Sequence, residues 1–210
     1  MVQTHWDDDG SLENVCRNVD IVVHTAGMNA QECAANPVAA MEVNGLYTGR
    51  IIAAAARVGV KRFLYLSTAH VYSNPLIGTI TEDTCLQNLH PYAYSHSVGE
   101  LAVLGANQRG EIEGIVLRLT NSFGAPVTKE VNCWMLLVND LCRQAVQSGK
   151  LTLRSKGYQQ RDFIAMGEVC RVIERMSNSK PGSGHDGIFN LGSGISWSVI
   201  KITKLIILKP

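Results

Sequence analysis

The chain has 210 residues, 46% of them hydrophobic and 18% charged, with a formal net charge of +1. This balance fits a globular chain with one substantial domain and room for a small appendage, and excludes a disordered one. No run of Lys and Arg stands out and no stretch approaches membrane-spanning length, which argues against a nucleic-acid or membrane partner. In chain order, MVQTHWDDDG is acidic where a secretory signal would be basic and then apolar. DIVVHTAG (20–27) is a β-branched run ending in Gly27 and predicts a buried strand. Pro37 opens a long helical stretch, VAAMEVNGLYTGRIIAAAARVGV, whose alanines suit close packing on a sheet. KRFLYLST (61–68) is a second strand, and a polar loop leads to Pro91 and a helix running to about Gln108. IEGIVLRLT (112–120) is a third strand, and VNCWMLLVNDLCRQAVQSG (131–149) a helix closed by Gly149. KLTLR reads as a short strand, GEVCRVIERMSNS as a helix and GIFNLGSG (187–194) as a last strand and turn.

Strand and helix in alternation mean βαβ units and a parallel sheet, with the site at the carboxyl ends of the strands. Those ends carry Thr25 to Gly27, Thr68, and Asn121 with Ser122. Small residues at Ala26 and Gly27 let a ligand approach the backbone. The cysteines (Cys16, Cys33, Cys85, Cys133, Cys142, Cys170) are scattered without a C-x-x-C pair. They read as reduced thiols in a cytoplasmic protein with no metal site. Neither G-x-G-x-x-G nor G-x-x-G-x-x-G occurs, although a dinucleotide-binding unit uses such a turn to hold the pyrophosphate. At the other end, GISWSVIKITKLIILKP begins like a capped helix after Gly194 and becomes a Lys/Ile/Leu run. Both ends read as cut or altered.

Six stretches in order carry a resemblance: DIVVHTAG, NPVAAMEVNGLYTGRIIAAAARVGVKRFLYLSTAHVY, PYAYSHSVGE, LRLTNSFGAP, QRDFIAMGEV and FNLGSG. Together they resemble the NAD-dependent epimerase/dehydratase family, the extended short-chain dehydrogenase/reductases that act on nucleotide sugars. The resemblance covers roughly residues 10 to 195. It implies an α/β fold, a Rossmann-like doubly wound parallel sheet, here N-terminally truncated. Residues 1–130 would form a partial NAD(P)-binding domain, and 131–210 part of a substrate-binding region mixed with the last sheet strands. It further implies NAD as cofactor, with NADP open, a nucleotide-sugar substrate, and a homodimer through helices 37–58 and 91–108. The strand 20–25 would lie beside a strand that is missing, so its unpaired edge predicts self-association.

The family's catalytic tyrosine opens a Tyr-x-x-x-Lys motif, and Tyr92 matches it, with Glu100 eight residues on. A free tyrosine titrates near ~10 and needs a nearby positive charge to act as a base at neutral pH. The family's lysine supplies that charge and also hydrogen-bonds the nicotinamide ribose; here the position is His96. Histidine is shorter and mostly neutral at pH 7, with an unperturbed pKa of about 6.5, so weakened or lost activity is expected. By resemblance, Thr68 hydrogen-bonds the reacting oxygen, and Ala26, Gly27 and Asn44 border the cofactor with Tyr92 and His96. Asn121 and Arg161 contact substrate, Arg161 through its planar fork on phosphates. Ala69 and His70 stand where the family's 4,6-dehydratases carry an Asp-Glu pair, which favours epimerase-type oxidoreduction. The alternative is a truncated or degenerate member without catalysis, a binding module or a non-functional fragment.

Overall fold

The computed structural model describes residues 2–128, 130–180 and 187–207. They divide into two compact units, one of residues up to Leu119 with Ile173–Asn190, the other of Thr120–Val172 with the residues from Leu191 onward. The first unit holds a four-stranded parallel sheet in the order β1 (Ile21–His24), β2 (Arg62–Thr68), β3 (Glu113–Leu119), β6 (Ile188–Leu191). The alternation of strand and helix, which forces crossovers, is why neighbouring strands run the same way. Ile21 to His24 pair with Arg62 to Tyr65, and Arg62 to Thr68 with Glu113 to Leu119. β2 is covered along almost its whole length, as a central parallel strand requires. β1 is an edge of this sheet, and its Val23 is exposed.

Helices α1 (Asp9–Cys16), α4 (Tyr47–Arg57) and α5 (Pro91–Gln108) supply the core over this sheet. Leu12, Ile52, Ala55, Phe63, Tyr65, Val103 and Val116 meet there, each almost fully buried. The long helical stretch after Pro37 is not one helix. It is α3 (Pro37–Ala40), a π-helical turn (Met41–Leu46) and α4, ending at Arg57. Pro37 occupies the first turn of α3, where its missing N–H costs nothing. The π turn widens the helix at Asn44 and Gly45. It lies directly on α5: a Cβ on Gly99 would sit 2.6 Å from the Asn44 carbonyl and 2.7 Å from Tyr65 Oη. Two short α-helices of this unit escape the sequence reading, α1, capped by Asp8, and α2 (Ala30–Ala35), which carries an Asn29–Glu32 capping box.

The second unit holds a three-stranded sheet in the order β4 (Asn121–Phe123), β5 (Gln160–Ala165), β7 (Ser196–Ser198), with α6 (Leu137–Ser148) and α8 (Val199–Ile207). α7 (Met166–Asn178) follows β5 in the chain. Three expectations are corrected here. KLTLR forms no strand, because the Thr152 N–H is taken by the Gln144 side chain at 2.7 Å rather than by a neighbouring strand. The helix expected over 131–149 starts only at Leu137; tight turns occupy the residues before it, with the Leu136 N–H donating to the Cys133 carbonyl. Its end is as expected, at Gly149 in the left-handed region. The strand at 188–191 is not the last, since Ser196–Ser198 pairs antiparallel with β5 before the final helix begins. Residues 208–210 of that final run lie outside the described residues.

Candidate active site

α5 positions the central pair. Pro91 stands at its first turn, and the His90 ring caps it by accepting from the Tyr92 N–H at 3.2 Å. One turn of helix brings Tyr92 and His96 onto the same face, their ring centroids 4.4 Å apart. The contact is ring on ring. His96 Nδ1 lies 2.8 Å from the Tyr92 backbone carbonyl. Burial pushes His96 down to about 4, partly opposed by that carbonyl, so the imidazole is neutral at pH 7. Burial also raises the Tyr92 phenol above its ordinary value, with a hydrogen bond to the Thr68 side chain as the opposing influence. Thr68 ends β2, is buried, and its Oγ accepts from the His70 N–H at 3.2 Å.

Asn44 ties the parts together. Its Oδ1 accepts from the Met28 N–H at 2.8 Å, and its Nδ2 donates to Ser95 Oγ at 2.9 Å and lies 3.3 Å from His96 Nδ1. It is fully buried and is held by the widened π turn, not by a regular helical one. Ala26 and Gly27 are exposed just past the end of β1. A Cβ on Gly27 would come within 3.1 Å of Asn44 Oδ1 and 3.8 Å of His96 Nε2. The structure therefore brings Thr68, Tyr92, His96, Asn44 and Gly27 into one neighbourhood of the first unit. A side chain at Gly27 would crowd Asn44 Oδ1, so the bare backbone there is what lets the turn lie against Asn44 and His96.

Behind this neighbourhood lies a chain of rings that sequence reasoning missed. Tyr65 stacks near His96 at 6.2 Å between centroids, His24 near Tyr65 at 5.6 Å, and Trp6 near His24 at 6.0 Å. Thr48 Oγ donates to the Asn44 carbonyl at 2.8 Å, so His24 Nε2, 3.0 Å from the same Oγ, is the donor in their bond. Burial, with a smaller contribution from His96, lowers His24 to about 4. The one signal in the sequence was a histidine inside a β-branched run. Ser67 and Arg118 both donate to Glu100, and Arg118 also donates to Tyr72 Oη at 2.7 Å and to the Glu82 carbonyl at 3.3 Å. Glu100 thus holds the loop before α5 through Arg118.

The two substrate candidates lie in the second unit. Asn121 spends its side-chain amide on the Asp162 carbonyl at 2.9 Å, across the β4–β5 pair. Arg161 is exposed opposite Trp197 in the β5–β7 register, and no described residue forms an ion pair with it. Its neighbour Asp162 points to the other face, as period two requires. There it accepts from Thr120 Oγ, Ser193 N–H and Ile195 N–H and fixes the turn after β6. The sequence reading gave Asp162 no such role. Among the described residues no group of His, Cys, Asp and Glu could hold a metal, and no helix is long and apolar enough to cross a membrane.

A parallel sheet whose strand ends gather Thr68, Tyr92 and a small-residue turn defines an α/β protein of the Rossmann-like class. The profile of the NAD dependent epimerase/dehydratase family matches residues 1–192, and the chain belongs to that family. The mouse dTDP-D-glucose 4,6-dehydratase is 26% identical over 193 residues, covering 90% of this chain and 51% of the mouse protein. The chain thus spans about half the length of the curated relatives it matches. DesIV, a dTDP-glucose 4,6-dehydratase from Streptomyces venezuelae solved with NAD and TYD bound, superposes with a TM-score of 0.82 at 24% identity, over 98% of this chain and 62% of that one. The epimerase Mth375 from Methanothermobacter thermautotrophicus superposes with a TM-score of 0.84 at 26% identity, over 98% and 61% respectively.

Proposed function

We propose that the chain keeps the family's nicotinamide-ribose and nucleotide-sugar sites of an epimerase-type oxidoreductase while having little catalytic capacity of its own. The observation that carries this is His96: neutral, its Nδ1 engaged with the Tyr92 carbonyl. NAD, when bound, supplies the hydride acceptor. Thr68 and Tyr92 would hydrogen-bond the sugar oxygen at the reacting carbon, and Gly27, Asn44 and His96 would border the ribose. By the family resemblance, Asn121 and Arg161 of the second unit are the residues that would contact a nucleotide sugar. Tyr92 can then donate a hydrogen bond, but with no cation beside it among the described residues and its phenol raised, it is a poor base at neutral pH. Ala69 and His70, in place of paired carboxylates, favour oxidation and re-reduction at one carbon over loss of water.

Calorimetry with NAD, followed by epimerase assays on UDP-sugars, tests this. Binding to these 210 residues is expected to be weak, on the order of 1 mM or about −4 kcal/mol, because the neutral His96 offers the ribose no charged donor. Turnover should be barely measurable in the wild type and higher in His96→Lys. Wild-type turnover equal to that of the lysine variant would sink the proposal.

The same reading pairs two copies through the helices of 37–58 and 91–108. Val38, Met41, Leu46, Val98 and Leu101 are exposed there, ringed by Glu42, Arg50 and Arg57. Sedimentation velocity should show a dimer that Leu46→Glu with Leu101→Glu converts to monomer. A wild-type monomer at tens of micromolar, on the order of ordinary assay concentrations, would refute it.

A further inference from the structure

The hydrogen bonds around His96 fix which nitrogen carries its proton. The Met28 N–H donates to Asn44 Oδ1 at 2.8 Å, so the amide cannot be turned round, and its NH2 faces Ser95 Oγ and His96 Nδ1. The Tyr92 carbonyl, 2.8 Å from Nδ1, can only accept. If Nδ1 were bare, two lone pairs would face each other at that distance. Nδ1 is therefore the N–H. The remaining hydrogens agree: Asn44 Nδ2 spends its two on Ser95 Oγ and on Cys33 Sγ at 3.5 Å, so its 3.3 Å approach to Nδ1 is not a hydrogen bond, and Ser95 Oγ donates to the Tyr92 carbonyl at 3.2 Å.

That leaves Nε2 as a lone pair. It faces the turn after β1, where a Cβ on Gly27 would lie 3.8 Å away, and no described residue hydrogen-bonds to it. His96 itself is 7% exposed, so its ring cannot swing to present another atom. We infer that His96 Nε2 is a built acceptor for a ligand hydroxyl on the Gly27 side, reversing the polarity of the donor lysine in the family's motif. The low pKa agrees with this, since a ring that charges only near 4 stays an acceptor throughout the neutral range. The inference rests on the reading that a nicotinamide nucleotide places its ribose here. It adds that the ribose hydroxyl must donate, so a ligand offering only an acceptor or an anion at this point is disfavoured.

Two measurements on the full chain test it. Long-range 15N–1H correlation at pH 7 reads the tautomer without any ligand. Calorimetry then compares NAD with an analogue whose nicotinamide-ribose hydroxyls are replaced by hydrogen. The expected result is the Nδ1–H tautomer in the free chain, a shift of the Nε2 resonance on adding NAD, and analogue binding about five- to tenfold weaker. In His96→Phe the two ligands should bind alike; if that variant does not fold, the wild-type comparison still decides. An Nε2–H tautomer or an imidazolium at pH 7 overturns the inference, and so does equal binding of the two ligands to the wild type. Equal binding leaves the cofactor reading standing. No heat from NAD at millimolar concentration removes both.

Discussion

Glu100→Ala should cost about 3–5 kcal/mol in chemical unfolding, enough to unfold much of the population of a marginal domain. Glu100 and Arg118 are 1% and 3% exposed, and the guanidinium donates Nη2 to the carboxylate at 2.8 Å with Nε close to both oxygens. Removing the carboxylate leaves a buried cation facing the Ser67 hydroxyl, with Tyr72 Oη and the Glu82 carbonyl as its remaining partners. The penalty is chiefly the stranded charge and not the lost attraction. Glu100→Leu combined with Arg118→Leu should therefore recover more than half of the loss, which a double-mutant cycle by urea titration would measure. A single-variant cost under about 1 kcal/mol would show that the pair is solvated in solution and that Glu100 does not hold the loop.

Acid should destabilise the first unit well above the range where ordinary carboxylates titrate. His24 and His96 are held neutral in the fold down to about 4, by burial in both cases. In the unfolded chain they take up protons near 6.5. Between these values the unfolded state binds more protons, so stability rises with pH across the window. The contribution is fully present above pH 6.5 and is lost as pH falls through 4. Linkage gives roughly 3 kcal/mol for each ring, and less than twice that for the pair, because part of the His24 depression comes from charge on His96. Urea midpoints should accordingly drop between pH 6.5 and 4, and His24→Phe, which keeps the ring stack, should roughly halve the drop. A flat profile down to pH 4.5 would mean that the rings charge in place.

The parts of this fold readable in the sequence are those where one physical signal dominates. DIVVHTAG, KRFLYLST and IEGIVLRLT are apolar runs long enough to be strands, and Pro91 and Gly149 mark helix ends that the structure keeps. β4 and β7 have three residues each, too few for any period to show, and β5 begins with exposed polar residues. The helix at 131–149 shows that apolar content alone does not locate a helix start, since Leu136 brings no capping side chain. In the site, the type and spacing of Thr68, Tyr92 and His96 were legible. The ring's protonation was not, because it is decided by burial and by the approach of the Tyr92 backbone carbonyl to Nδ1, neither of which the residue types reveal.

The Asn44 amide also joins two parts of the first unit. One carboxamide holds the backbone turn that follows β1 by its oxygen and the first coils of α5 by its nitrogen. The turn after β1 and the start of α5 are thus fastened to a common point on the π turn, and parting them means breaking one of the two bonds, a cost of about 1 kcal/mol. Replacing that one carboxamide would loosen both attachments together.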